Sequence, residues 1–248
     1  MLQDKKNILA LIPARAGSKG LPDKNLKQLG GHPLLAWSVR ACISSNFINR
    51  IIVSTDSHEY ASAAINYGAE VPFLRPTAIS KDNSTDLEFI KHALNALQEL
   101  DSYIPEFVIH VRPTTPIRNP RTIDTAIEEF SLNEEKYTSL RSVHEMSESA
   151  YKTFEIKKGQ LVTAFFGKKD LELSNRPRQA MPLTFTPNGY VDVISTRYLS
   201  STGKIHGDKV FPFLTEQVIE VDSAWNFEML ELQVQNSPEL ITRVFGSN

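Results

Sequence analysis

Cysteine is almost absent: Cys42 is the only one among 248 residues, so no disulfide can close within the chain, which fits a reducing compartment. It sits in a helix-like run, 33–45, among Leu, Ala, Trp and Val, where a thiol serves as a small core residue rather than a nucleophile. Long apolar runs are missing as well. None approaches the ~18 residues of a membrane span, and the opening Met-Leu-Gln-Asp-Lys-Lys-Asn lacks the apolar core of a signal peptide. Excess charge of one sign is missing too. A net charge of −2 exerts no global pull toward nucleic acid or an anionic membrane, so anion binding has to be local. One cysteine and six scattered histidines give no zinc spacing, and no Gly-x-Ser-x-Gly elbow supports a Ser-His-Asp site. His32, His58, His92, His110, His144 and His206 read as surface or turn residues. No repeat, low-complexity tract or disordered linker is visible. What remains is a globular chain expected in the cytoplasm. At 41% hydrophobic and 23% charged residues, it is long enough for one α/β domain with a protruding part.

Short apolar strands alternate with amphipathic helices through the first half. Ile8-Leu9-Ala10-Leu11-Ile12 and Ile51-Ile52-Val53 read as buried strands, with a helix over 58–67 and a short extended segment over 71–74. A longer helix over 85–100 carries Leu87, Ile90, Leu94 and Leu97 on one face; a strand at 107–111 and a helix at 120–130 follow. This alternation implies a mostly parallel sheet with helices on both faces, and ligands bound beyond the carboxyl ends of the strands. After about residue 137 the pattern changes. Segments 138–143, 151–156, 161–166 and 188–194 are strand-like, and 173–187, with Pro177, Pro182 and Pro187, reads as irregular. Residues 144–187 are expected to leave the main sheet as an excursion.

The polar motifs fall at strand ends. Pro-Ala-Arg-Ala-Gly-Ser-Lys-Gly-Leu-Pro-Asp-Lys-Asn, residues 13–25, follows the first strand with Gly17, Gly20, Arg15, Lys19 and Lys24. Glycines let backbone N–H groups approach anionic oxygens, and three cations neutralise them, so the loop suits a polyphosphate. It is neither a P-loop nor a Gly-x-Gly-x-x-Gly fingerprint. Arg75-Pro76-Thr77 precedes Ser80 to Asp86, where Ser84 or Thr85 would cap the next helix. Arg112-Pro113-Thr114-Thr115-Pro116-Ile117-Arg118 is a stiff turn whose two arginines point out from the strand end, or else stand solvated. Arg176-Pro177-Arg178-Gln179 and Asn188-Gly189-Tyr190-Val191-Asp192 follow; the second is otherwise a turn before a strand. In Ile219-Glu220-Val221-Asp222-Ser223, strand alternation puts Glu220 and Asp222 on one side, two oxygen donors suited to Mg²⁺ beside phosphates. The competing reading makes Asp222 or Ser223 a helix cap.

Taken together these stretches resemble the acylneuraminate cytidylyltransferases, enzymes that make CMP-activated nonulosonic acids. The resemblance runs over most of the chain. It implies a Rossmann-like nucleotidyltransferase fold over 1–248, with 144–187 as a protruding dimerisation arm of a homodimer. It implies CTP and a nine-carbon 2-keto acid sugar as substrates, with Mg²⁺ as cofactor. Arg15, Ser18 and Lys24 would hold the triphosphate, with Arg15 and Lys24 offsetting charge on the departing pyrophosphate. Ala14, Gly17 and Asn25 would complete the nucleotide loop, and Arg75, Ser84 and Thr85 would lie against base and ribose. Asn188 would contact the sugar, and Lys152, Arg178 and Gln179 would serve it too, with Lys152 and Arg178 arriving from the neighbouring subunit. Asp222 with Glu220 would hold the metal. Two departures stand out. Arg112 replaces a glutamine common in the family, and Glu220 replaces the first aspartate of an Asp-x-Asp pair. Another sugar nucleotidyltransferase, acting on Kdo or a sugar-1-phosphate, or a non-catalytic nucleotide-sugar sensor, would share the same loop.

Overall fold

The computed structural model describes residues 6–165 and 170–246. The chain opens with β1 (Ile8–Pro13), a long loop, and a two-residue ladder of β2 (Gln28–Leu29) with β3 (His32–Pro33). Next come α1 (Leu34–Ile43), β4 (Arg50–Ser54), α2 (His58–Asn66), α3 (Asp86–Asp101), β5 (Phe107–His110), α4 (Pro120–Asn133) and β6 (Ser139–Glu145). A hairpin, β7 (Phe154–Lys157) and β8 (Gln160–Thr163), forms its own small sheet. β9 (Phe185–Ser195), α5 (Thr196–Thr202), β10 (Val210–Leu214), α6 (Ala224–Asn236) and α7 (Glu239–Phe245) complete the chain.

The six-stranded sheet runs β10-β6-β9-β5-β1-β4. β1 pairs in parallel with β4 and β5, and β10 with β6, while β9 is antiparallel to both its neighbours. The sheet is thus mostly parallel, as the strand-helix alternation implies. Because side chains alternate across a strand, β1 sends Ile8, Ala10 and Ile12 to one face and Leu9 and Leu11 to the other. The first set packs with Leu35 and Val39 of α1, Tyr60 of α2 and Ile127 and Phe130 of α4. The second set packs with Phe89, Ile90 and Leu97 of α3 and Leu199 of α5. Helices therefore cover both faces. A third cluster joins Leu29, Leu34 and Trp37 to Val221 and to Leu230, Val234 and Val244 of the C-terminal helices.

Cys42 is buried at 1% exposure, and burial pushes its thiol up to about 12, as suits a core residue.

Several local expectations are corrected. β9 begins at Phe185, so Thr186 and Pro187 are strand residues, opposite His144 and Val143 of β6. Pro187, which has no N–H to donate, sits beside a register shift between Arg141 and Val143, where a ladder tolerates it. The excursion accordingly leaves the sheet only after Glu145 and rejoins it at Phe185. Residues 150–152 form a single 3₁₀ turn, not strand, because Ser149 caps it by accepting from the Tyr151 N–H. Residues 71–74 make no ladder, and only Glu70 bridges to Ile52. Residues 219–222 are not a strand either. The Val221 N–H donates to the Thr114 carbonyl at 2.7 Å, and Val221 itself is buried. Phe166, the end of one expected strand, lies outside the described residues. His110 is not a surface residue but a fully buried member of β5.

Candidate active site

Parallel strands deliver their carboxyl ends to one edge of the sheet, and there the loops after β1 and β5, Arg75, the stretch that leads into α3 and Asp222 enclose a cavity of about 500 Å³. The loop after β1 is anchored at both ends. Ala14 donates its N–H to the Ser54 carbonyl at 2.9 Å, and Ala16 donates to Asp56 Oδ1 at 2.8 Å. Gly17 takes a φ of 71°, which favours glycine. Asn25, almost fully buried, donates to the Arg15 carbonyl at 3.3 Å and so pins the loop onto itself. A Cβ on Gly20 would collide with the Asp222 carbonyl, so this glycine lets the loop lie flat against the segment that carries Asp222.

This arrangement turns Arg15, Ser18, Lys19 and Lys24 toward the cavity. Lys24 Nζ donates to the Val221 carbonyl at 3.0 Å and lies 3.4 Å from Asp222 Oδ1. Asp82 bridges Arg15 Nη2, at 2.8 Å, and Lys19 Nζ. Those two cations, Lys19 first, hold the Asp82 carboxyl below the usual carboxylate range. Across the cavity, Ser84 accepts from the Lys81 N–H at 3.0 Å, and the Thr85 N–H donates to Glu88 Oε2 at 2.6 Å, forming part of a capping box at the start of α3. Arg75 lines the cavity yet is buried. Its Nε donates to Ser54 Oγ at 3.0 Å, its guanidinium stacks on Phe89 at 4.8 Å, and burial pulls its pKa down to about 10.

The structure thus gathers Arg15, Ser18, Lys24, Asn25, Arg75, Ser84, Thr85, Arg112 and Asp222 around one cavity. It does not gather the rest. Asn188 is buried outside the lining: its Nδ2 donates to Thr215 Oγ1 at 2.6 Å, and its Oδ1 accepts from the Tyr190 N–H at 3.2 Å. Lys152, Arg178 and Gln179 lie in the excursion, where Arg178 pairs with Glu145 Oε1 at 2.7 Å. Glu220 accepts from Thr114 Oγ1 at 3.1 Å and does not line the cavity. The strand that would have put it beside Asp222 does not form. The cap of α6 is Ser223, whose Oγ accepts from the Asn226 N–H. Asp222 is thereby left with its side chain 71% exposed at the cavity rim. One exposed carboxylate beside a cation-rich loop has the chemistry that Mg²⁺ would accept, since that ion takes few protein ligands and completes its shell with phosphate oxygens and water.

The two arginines of the turn after β5 part company. Arg112 lines the cavity, with Nη2 on Asp86 Oδ2 at 2.9 Å and Nη1 on Asp192 Oδ2 at 3.0 Å. Burial lowers its pKa, but Asp192 and Asp86 more than offset this and leave it above the ordinary value. Arg118 does not point out from the strand end. It is 1% exposed, donating to the carbonyls of Tyr190, Gly189 and Arg112 and to Ser38 Oγ. Sequence reasoning assigned no role to Asp86, Phe89 or Asp192. Asp192 had a signal: a lone carboxylate inside the apolar run Val191 to Ile194 calls for a buried cation.

The family model described as cytidylyltransferase matches residues 9–177. N-acylneuraminate cytidylyltransferase of Escherichia coli O18:K1:H7 is 30% identical over 227 residues, covering 91% of this chain and 51% of that protein. The chain therefore spans about half the length of that relative. CMP-N,N'-diacetyllegionaminic acid synthase of Legionella pneumophila is 27% identical over 237 residues, covering 94% of this chain and 99% of that one. The solved structure of CMP:2-keto-3-deoxy-manno-octonic acid synthetase complexed with CTP superposes with a TM-score of 0.68. At 14% identity, covering 93% of this chain and 99% of that one, it shows the fold.

Proposed function

The chain belongs to the cytidylyltransferase family, and we propose that it transfers CMP from CTP to the anomeric hydroxyl of a nonulosonic acid of the sialic, legionaminic or pseudaminic type. The observation that carries this reading is the convergence of Arg15, Ser18, Lys19 and Lys24 with Asp222 on one cavity at the carboxyl edge of the sheet. A bond forms from the anomeric oxygen to the α-phosphorus of CTP, the bond from that phosphorus to the β-phosphate oxygen breaks, and pyrophosphate leaves. Such chemistry needs positioning and charge neutralisation more than covalent help from the protein. Arg15 and Lys24 offset the charge that gathers on the departing pyrophosphate, and Ser18 with the loop amides orients the phosphates. Asp222 would hold Mg²⁺, which when bound supplies further neutralisation of phosphate oxygens. Arg75 and Asn25 brace the walls from behind, and Ser84 and Thr85 border the nucleoside.

We further read residues 1–248 as one nucleotidyltransferase domain acting in the cytoplasm as a homodimer. Among the described residues no helix is long and apolar enough to cross a membrane. Support for dimerisation comes from the hairpin, where Phe154, Ile156 and Leu161 are exposed apolar side chains on a sheet of their own. A second subunit on that hairpin is also the route by which Lys152 and Arg178 would reach a sugar site.

The test is pyrophosphate release with Mg²⁺, crossing four NTPs with sialic, legionaminic and pseudaminic acids, Kdo and sugar-1-phosphates. Release with CTP and a nine-carbon acid is expected. Release with a sugar-1-phosphate alone, or CTP binding without any release, overturns the reading.

A further inference from the structure

Every carboxylate on the cavity lining is ion-paired with a cation of the same lining. Asp222 lies against Lys24, Asp86 holds Arg112 at 2.9 Å, and Asp82 spans Arg15 and Lys19. Arg75, the remaining lining cation, is buried against Ser54 and Phe89. Asp222 and Asp86 have uses apart from these pairs. Asp222 is the proposed metal donor, and Asp86 begins α3, where a negative charge suits the helix dipole. Asp82 has no such use. Among the described residues its carboxylate makes no further hydrogen bond or ion pair, and it caps no helix.

Nor is the bridge needed to hold either wall. The loop after β1 is fixed by the Ala14 and Ala16 amides and by Asn25. The stretch before α3 is fixed by the Arg75 N–H, which donates to the Thr55 carbonyl at 2.7 Å, and by Ser80 Oγ, which donates to the Pro76 carbonyl at 3.0 Å. The capping box of Thr85 and Glu88 holds its far end. All three side chains of the bridge are open to water, Lys19 at 84%, Asp82 at 40% and Arg15 at 29%. Ion pairs so exposed add little to stability. The carboxylate nevertheless stays an anion, because the two cations favour its charged form.

What the bridge does is occupy donors. Asp82 Oδ1 accepts from Arg15 Nη2 at 2.8 Å while Oδ2 pairs with Lys19 Nζ. Phosphate oxygens drawn to those cations would take the same charge-assisted hydrogen bonds. They would also meet the Asp82 charge at close range, where like charges repel.

We propose that Asp82 is an internal competitor for Arg15 and Lys19, which weakens the hold of the cavity on polyphosphates and so eases the departure of pyrophosphate. This rests on the functional reading above. An incoming triphosphate displaces the carboxylate, and the carboxylate reclaims both cations as pyrophosphate leaves. The opposite role, in which Asp82 braces the cations for the phosphates, makes the opposite prediction.

Isothermal titration calorimetry with inorganic pyrophosphate and inorganic triphosphate, each without sugar, reads the competition directly. In Asp82→Asn both anions are expected to bind about three- to tenfold more tightly than in wild type, the scale set by releasing two exposed ion pairs. Asp82→Glu, which keeps the charge, should bring the affinity back toward wild type. In a Lys19→Met background, which lacks one of the two contested cations, the gain from Asp82→Asn should shrink. Unchanged or weaker binding in Asp82→Asn overturns the proposal, and so does equal tightening in Asp82→Glu or a gain that Lys19→Met leaves intact. A wild type that binds neither anion removes the phosphate site itself, and the functional reading falls together with the proposal. Binding in wild type that Asp82→Asn does not change overturns the proposal alone.

Discussion

Lys24 and Asp222 meet at the cavity rim, 3.4 Å apart, although 198 positions separate them in the chain. The lysine comes from the loop after β1, and the aspartate from the segment that leads into α6. Their contact ties the cation-rich loop to the only carboxylate of the Glu-x-Asp pair that borders the cavity.

Asp222→Asn removes that carboxylate's charge at an exposed position, so the fold should be untouched. The expected outcome is a rightward shift of the Mg²⁺ titration of pyrophosphate release, or loss of activity. A titration that superimposes on wild type would show that Asp222 holds no metal.

Arg15 sits at the cavity rim, ion-paired in this structure with Asp82. Arg15→Ala should lower turnover by about 10²–10³-fold, the effect of removing one preorganised group that stabilises developing charge. Circular dichroism should remain that of wild type. Turnover within a few-fold of wild type would detach Arg15 from the phosphate site.

Arg118 looks like Arg112 in sequence but acts on stability. It is fully buried, and its removal leaves the carbonyls of Tyr190 and Gly189 without their donor. Arg118→Met should cost about 1–3 kcal/mol in urea unfolding, the range for leaving buried acceptors unpaired. Arg118→Lys should not restore it, because an ammonium cannot reproduce the fork. A melt close to wild type in either variant refutes this.

His110 should make the protein acid-sensitive. Burial first, and Arg112 next, hold its pKa well below 6.5 in the fold, so it stays neutral there. Arg118, Arg141 and His206 push the same way, while Asp86 and Asp192 stand 3.9 Å off on the other side. In the unfolded chain it protonates near its ordinary value. Below about pH 6.5 the unfolded chain therefore binds a proton the fold refuses, and stability falls as pH drops. His110→Gln should make that acid limb shallower, though not flat, because burial lowers His206 as well. Urea midpoints measured across this pH range check it, and an unaltered slope in the variant would clear His110.

Much of the architecture could be read directly from the residues. Apolar runs such as 8–12 and 51–53 sit in the sheet, and the Leu-Ile-Leu-Leu spacing of α3 faces it, because periodicity is a local property that burial then rewards. The cation-rich loop after β1 was legible for the same reason: its glycines and cations are contiguous. Residues far apart were harder. Whether an arginine at a strand end faces a ligand or a set of carbonyls depends on what folds over it. Arg112 and Arg118, six positions apart, take opposite fates on that ground alone.

The sequence by itself determined the strand-helix order, the cation-rich loop after β1 and the resemblance that names its chemistry, because each is written in neighbouring residues. Only the tertiary structure decided that Asp192 lies behind Arg112, that Asn188 is tied to Thr215, and that Glu220 turns to Thr114 while Asp222 stays at the rim. Those outcomes depend on which distant side chain satisfies a charge or a hydrogen bond once water is excluded, and no local pattern specifies that partner.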